Sequence, residues 1–460
     1  MNRTICAAPL HPDVLAEIRN DPALADALRS QGPPPIGRGD GAIQSPEDFA
    51  VGMPHGKVLA AASTRPAPLR GNIKVIVVLV QFKDRPMTKT PQEVSDLFFS
   101  TGVIPTGSVH EYYHEVSSGL VSITGSVVGP FTMPLPMAEY AKGSIDTAPS
   151  FPNVQTLGRD AARAAMRDVN FSSYDNDGNG FVDGLVVVHA GSGRERTKDV
   201  NDLWSIKHQI EGGELTANQT SILSFLTVAE DSPMGIAAHE LGHLLFGWPD
   251  LYDRGLHSYG AGNWCLMGYG SWNGAEAGAQ PGELPAHPSA WCKATQGWLK
   301  PHLQQENETV TIEAVQNGGP VLRLWKDATE MPEYFLVENR QRQGFDRALP
   351  GDGLLVWHID DSQSNNDNPS HPRVALMQAD GARELETQRS LGDPNDPFRE
   401  AGEKFDDDTD PSSRSYAGSP TSVRVTTRSA SGPRMEVEVE VTETAANAPS
   451  RGRQRIVKHG

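Results

Sequence analysis

The sequence predicts an α+β protein: a mixed sheet with backing and active-site helices over residues 71–304, then a β-sandwich over residues 305–442. Three observations carry this reading. The near-continuous β-branched runs Ile73–Val80 and Leu185–Val188 suit strands buried on both faces. Helix-start signals fall between and after them. Beyond about residue 305, short apolar runs separated by Gly, Pro and Asp turns replace helical periodicity.

Each element follows from local chemistry. In residues 1–70, Val14, Leu15 and Ile18 have helical spacing, and Leu24 and Leu28 repeat it after Asp21-Pro22. Gly32-Pro33-Pro34-Pro35-Ile36-Gly37 then opens a stretch of linker composition. Thr90-Pro91-Gln92-Glu93 and Ser108-Val109-His110-Glu111 each place a hydroxyl three residues before a Glu, the signature of a capping box. A strand is expected from Leu120 to Gly125 and a helix over 153–169. The later strands are expected at 309–312, 334–337, 354–357, 374–377, 423–425 and 435–441, the last alternating cleanly. Residues 443–460 are polar and read as a disordered tail.

Composition excludes several functions. The 460 residues allow two to four domains at about 100–200 residues each, and 37% hydrophobic residues is ordinary for a globular chain. With 58 acidic against 40 basic residues, the net charge of −18 repels a phosphate backbone, so no nucleic-acid partner is expected. No apolar run reaches the roughly 18–20 residues that span a bilayer. The opening residues, with one Arg and an apolar stretch broken at Pro9, do not read as a secretory signal. A monomer is expected. Three cysteines cannot build a disulfide framework; Cys265 and Cys292 either pair or remain buried thiols.

The chemistry centres on Ser232-Pro233 and the run to Asp250. Ser232 is a natural N-cap, Pro233 a natural first helical residue, and Gly247 and Pro249 stop the helix. His239 and His243 stand four residues apart and so share one helical face, which lets two imidazoles reach one Zn²⁺. Glu240 can address a water at the metal without being a ligand. Two histidines and a glutamate on an otherwise apolar helix would be costly to bury without a partner, and a metal is the simplest one. A catalytic zinc needs a third protein ligand. Asp250 is favoured because Gly247 and Pro249 bend the chain; Asp253, His257 and Glu276 are its rivals.

Other features carry weaker signals. Asp175, Asp177, Asn179, Phe181 and Asp183 space oxygens at alternate positions, as in the first half of a calcium loop. Val186 stands where an EF-hand has Glu, so an EF-hand proper is excluded. A Ca²⁺ is preferred over a solvated turn because aspartates so close repel. Asp360, Asp361, Asp380, Asp393 and Asp396 form a second acidic set that either binds another Ca²⁺ or lies in exposed turns. Cys6 is either an inconsequential thiol or a zinc ligand through which residues 1–70 block the metal as a propeptide.

The chain resembles the immune inhibitor A family of metallopeptidases, in the metzincin clan. The resemblance rests on the His-Glu-Leu-Gly-His helix, Pro249-Asp250-Leu251-Tyr252-Asp253, Trp264-Cys265-Leu266-Met267-Gly268, the acidic loop Tyr174–Gly184, Glu338-Asn339-Arg340, Gly353–Asp360 and Gln378-Ala379-Asp380-Gly381. It implies a metzincin-like catalytic domain, with His239, His243 and Asp250 as zinc ligands, Glu240 as general base and Met267 in a turn beneath the metal. It also implies export, which the millimolar calcium outside cells would suit. Tyr269 stands where some metzincins use a Tyr at the zinc or the oxyanion. One departure from the metzincin pattern is visible: that pattern has Gly three residues after the second His, where Phe246 stands here; Gly247 follows, and Asp250 comes one residue late. The expected function is a zinc-dependent endopeptidase. The alternatives are an adhesion protein with a vestigial metal site, or a zinc hydrolase of small peptides or amides.

Overall fold

The computed structural model describes residues 6–21, 23–24, 68–142 and 151–442. The expected linker at 32–37, Leu28 and the 443–460 tail lie outside them.

The first half is built on one sheet. Its strands are β1 (Cys6–Ala7), β2 (Gly71–Gln81), β3 (Val121–Thr132), β4 (Leu185–His189), β5 (Ile206–Gln209) and β8 (Ser224–Ala229); β6 (Leu215–Ala217) and β7 (Thr220–Ile222) pair separately. The order is β1-β5-β8-β4-β2-β3. Strands β8, β4, β2 and β3 are parallel, β5 runs antiparallel to β8, and β1 antiparallel to β5. Among the described residues the six longer helices are α1 (Pro12–Asn20), α2 (Pro91–Phe99), α3 (Val109–Val116), α4 (Val154–Ala165), α5 (Met234–Phe246) and α6 (Ala290–Thr295).

Strand β2 shows why the sheet needs cover on both faces. Val75, Val77 and Leu79 point into a core shared with α3 and α5, whereas Ile76, Val78 and Val80 point into one shared with α4. Both capping boxes form. Thr90 Oγ1 accepts Glu93 N–H at 3.2 Å while the Glu93 carboxylate accepts Thr90 N–H at 2.8 Å. Ser108 and Glu111 do the same at 3.2 and 3.0 Å.

The second half holds β9 (His302–Leu303), β10 (Glu308–Glu313), β11 (Leu322–Leu324), β12 (Glu333–Arg340), β13 (Gly353–Asp360), β14 (Val374–Leu376), β15 (Lys404–Phe405), β16 (Arg424–Thr427) and β17 (Arg434–Glu440). They make a five-stranded sheet, β14-β13-β12-β11-β9, and a four-stranded one, β10-β17-β16-β15. Phe335, Val337, Leu354 and Val356 face the four-stranded sheet across one core. On the opposite face, Leu336, Leu355, Trp357 and Ile359 join the core around α5. The five-stranded sheet is therefore a wall with the metal helix's core on one side and a second sheet on the other.

Two local expectations change. Ser232 is not the N-cap of α5; Pro233 occupies that position. The Ser232 hydroxyl instead accepts Ala229 N–H at 3.1 Å, closing the tight turn out of β8. The helix expected over 153–169 ends at Ala165, its N-cap Asn153 accepting from Gln155 and Thr156. Cys265 and Cys292 are both buried free thiols.

Candidate metal centre

Helix α5 is buried along its whole length and ends at Gly247, whose φ of 64° reverses the chain. His239, Glu240 and His243 are each fully buried on it. His239 Nδ1 bonds Leu266 O at 2.9 Å, and His243 Nδ1 bonds Trp248 O at 2.6 Å. A carbonyl only accepts, so each Nδ1 carries the proton and each Nε2 presents a lone pair. Those two Nε2 atoms are 3.0 Å apart. Asp250 Oδ1 lies 3.2 Å from the first and 3.0 Å from the second. Three acceptors thus converge with no proton between them. A cation resolves that arrangement, and two imidazoles with a carboxylate suit zinc. The donor set fits the metal.

The loop after the helix settles which carboxylate reaches this point. Asp253 is consumed by its own turn, accepting the N–H groups of Gly255, His257 and Ser258 at 2.7, 2.8 and 3.0 Å. The His257 side chain is 61% exposed, and Glu276 is exposed. Asp250 is 2% exposed, and its Oδ2 has no hydrogen-bond partner. Helix α5 includes Phe246, so the bend at Gly247 brings the carboxylate into reach one residue later than the clan's spacing.

Met267 is fully buried against α5. A Cβ on Gly242 would meet Met267 Sδ at 2.8 Å, so only glycine there lets the thioether lie this close to the helix. Met267 O also accepts Leu251 N–H at 2.8 Å, tying this turn to the residue after Asp250. Tyr269 is fully buried, and its hydroxyl has no partner. Its ring lies 5.6 Å from that of Tyr252, whose own ring is 6.3 Å from His239. In the sequence Tyr252 figures only as part of the Pro249–Asp253 run, two residues after Asp250; its place beside His239 comes from the fold.

The electrostatics follow from burial. Burial drives the Glu240 carboxyl well above the ordinary carboxylate range, and the charges of Asp250 and Glu195 push the same way. Neither Glu240 oxygen has a hydrogen-bond partner. Burial would also raise Asp250, but with no metal bound, protonated His243 and His239 rings would outweigh it through charge and Nε2–H donation and hold the group below its ordinary value.

In the acidic loop, oxygens of Asp175, Asp177 and Asp183 lie within 4.8 Å of one another, and Asp175 Oδ1 is buried without a partner. Asn179 bonds within the loop: its Oδ1 accepts Phe181 N–H at 2.8 Å and its amide donates to Asp177 at 3.1 Å. Of the second acidic set, Asp360 pairs with His371 at 2.7 Å, and Asp361 accepts from Trp291 at 2.8 Å and Tyr334 at 3.1 Å.

A buried His-Glu-His group on one helix, with a carboxylate returned to it by a bend, defines a metallopeptidase-type centre. The family profile described as Immune inhibitor A peptidase M6, catalytic domain, matches residues 70–299, and the chain belongs to that family. It is 29% identical over 274 residues to the pre-pro-metalloprotease PrtV of Vibrio cholerae serotype O1, covering 48% of this chain and 29% of that protein. It is 30% identical over 205 residues to immune inhibitor A of Bacillus thuringiensis subsp. alesti, covering 37% of this chain and 29% of that protein. The match thus spans under a third of each relative's length. Among the described residues, no helix is long and apolar enough to cross a membrane.

Proposed function

We propose that the chain is a zinc-dependent endopeptidase acting on protein or peptide substrates, with a metzincin-like catalytic region, a β-sandwich beside it, and an extracellular place of work. The observation that carries this is the convergence of His239 Nε2, His243 Nε2 and Asp250 Oδ1 at 3.0–3.2 Å beside an unpartnered Glu240. Zinc held by His239, His243 and Asp250 would supply Lewis acidity and lower the pKa of a water towards neutrality. Glu240 takes the proton of the attacking water and passes it to the leaving amine. The Tyr269 hydroxyl donates to the carbonyl oxygen as it gains charge. Met267 is the floor that fixes the imidazoles.

Purified protein is expected to contain one zinc per chain and to digest casein, with chelation stopping the digestion and stoichiometric zinc restoring it. Zinc-loaded protein that leaves casein intact would end the endopeptidase reading. Asp250→Ala should lose the metal and Asp253→Asn should keep it; the reverse pattern would move the third ligand.

The N-terminal segment acts as an inhibitory strap. It pairs with the sheet edge β5, where an extended substrate would pair, placing Cys6 opposite Lys207. Three successive carbonyls are held by aromatic donors: Ala7 O by the Tyr252 hydroxyl, Ala8 O by Trp204 Nε1 at 2.8 Å, and Pro9 O by Trp272 Nε1 at 2.9 Å. Val14 and Leu15 of α1 anchor the segment, each 2% exposed. Leu15→Asp should detach it and raise peptidase turnover at least tenfold. A turnover that stays level or falls in a folded variant would remove the inhibitory role.

The loop at Asp175, Asp177, Asn179, Phe181 and Asp183 holds a structural Ca²⁺. Asp183 is pushed up to about 7, first by burial and then by the charges of Asp177 and Asp175. A folded value above the unfolded one favours the protonated fold. Without cation, stability should therefore fall as pH rises from about 4 towards 7, by up to ~4 kcal/mol. Calcium reverses this by favouring the ionised carboxylates, so it should raise the melting temperature more at pH 7.5 than at pH 5. Equal gains at both pH values would count against the site.

A further inference from the structure

Four carboxylates lie away from both centres, in the loop between β14 and β15. Oxygens of Asp380, Glu384 and Asp393 fall within 4.8 Å of one another. Asp396 is 1% exposed beside them. Its Oδ2 accepts Trp264 Nε1 at 2.8 Å and Asp393 N–H at 3.0 Å, but its Oδ1 has no partner. Glu384 Oε2 is likewise buried and unpartnered. Burial pushes the Asp396 carboxyl up to about 7, and the charges of Asp393 and Asp380 add to this. Among the described residues no Lys, Arg or His forms an ion pair with any of the four: Arg383 turns to Asp410 at 3.2 Å, and Arg389 to Thr387 at 3.0 Å. Two orphaned carboxylate oxygens beside two further acids, with no basic partner, call for a cation.

We propose that Asp380, Glu384 and Asp393, backed by the buried Asp396 carboxyl, hold one Ca²⁺, distinct from that of the 175–183 loop, which fastens this loop onto the chain between Asp250 and Met267. The donors are all oxygen, which selects a hard cation. Asp380 Oδ1 accepts Ala382 N–H and Asp393 Oδ1 accepts Asn395 N–H, at 2.9 and 2.7 Å, leaving one oxygen of each free. Ca²⁺ tolerates such an irregular set better than Mg²⁺ does. The loop already grips its target. Leu385 O accepts Tyr259 N–H at 2.8 Å, Leu391 O accepts Asn263 N–H at 2.7 Å, and Gln388 donates to Leu256 O at 2.9 Å. Those residues lie on the segment that leaves Asp250 and returns as Met267. An ion there braces the metal centre from behind.

The test uses the full chain carrying Glu240→Ala to prevent self-digestion, stripped of calcium and titrated with CaCl2. Asp380→Asn/Asp393→Asn should bind one ion fewer per chain than its parent and lose tryptophan-sensitised Tb³⁺ emission arising through Trp264. Asp177→Asn should leave that emission intact. Calcium should slow hydrogen exchange at Tyr259 and Asn263 in the parent and not in the double variant. If the double variant does not fold, Asp380→Asn alone, at an exposed position, should weaken one calcium affinity at least tenfold. Unchanged ion number and affinity in either variant would overturn the proposal. Ion counting needs no turnover, so the outcome stands apart from the peptidase reading.

Discussion

Glu240→Gln should lower kcat/KM for peptide hydrolysis by roughly 10³–10⁴-fold while elemental analysis still finds one zinc per chain. Gln has the volume of Glu but cannot take a proton. Neither Glu240 oxygen makes a hydrogen bond of good geometry, and Gln keeps a carbonyl oxygen to face the nearby Lys207 N–H, so little structural bonding is lost with the charge. The imidazoles stay in place because backbone carbonyls at Leu266 and Trp248 hold their Nδ1 atoms. A steady-state assay beside metal analysis separates a lost base from a lost metal. Activity within tenfold of wild type, with zinc present, would mean that another group carries the proton. Tyr269→Phe should cost less, about 10–100-fold and mostly in kcat, since a phenol that aids only the charged oxygen adds to binding in the transition state alone.

Arg340→Leu should destabilise the protein by about 3–5 kcal/mol, because it leaves two buried carboxylates without their cation. Arg340 is fully buried and bonds Asp346 at 2.8 and 2.5 Å and Glu338 at 3.2 Å. Asp346 also accepts His287 N–H at 2.9 Å. The His287 ring in turn meets Lys293 of α6 at 2.8 Å and Glu115 of α3 at 3.0 Å. The network thus ties the β-wall to two helices of the first half. Thermal unfolding should show a melting point lower by about 3–5 °C. Removing the charges together, as Arg340→Met with Asp346→Leu and Glu338→Gln, should recover much of the loss; a single replacement without effect would show the network is not needed. Burial would raise Asp346, but Arg340 and His287 hold it down at about 2. Its contribution is therefore complete above pH 4 and disappears as pH falls towards 2.

Parts of this were legible in the sequence for physical reasons. A four-residue histidine spacing has one meaning on a helix, and Gly247 marks where that helix stops. Strands β2 and β4 announce themselves because burial on both faces demands unbroken apolar runs. Strand β5 does not: Ile206-Lys207-His208-Gln209 is a short polar edge, recognisable only once β8 and β1 flank it. The choice of Asp250 over Asp253 depends on three amide donors that local sequence cannot place. Ser232 looked like a cap because hydroxyls serve both helix starts and tight turns, and only the distance from β8 decides. Arg340 stood out as a motif residue, but its partners come from distant segments. Of the second acidic set, Asp360 and Asp361 take partners from neighbouring strands and helices, which separates them from the orphaned pair.

The shared wall formed by β12 and β13 bears on where this molecule can be cut. The catalytic-domain profile stops matching at residue 299, and His239, Glu240, His243, Asp250, Met267 and Tyr269 all lie before it. Yet Leu336, Leu355, Trp357 and Ile359 close the same apolar interior as Met267 and Trp291. A polypeptide severed at the homology limit would keep its chemistry and lose its back, presenting a raw greasy surface to water and clumping with its own kind. The piece that covers this core therefore runs beyond the piece that the profile recognises.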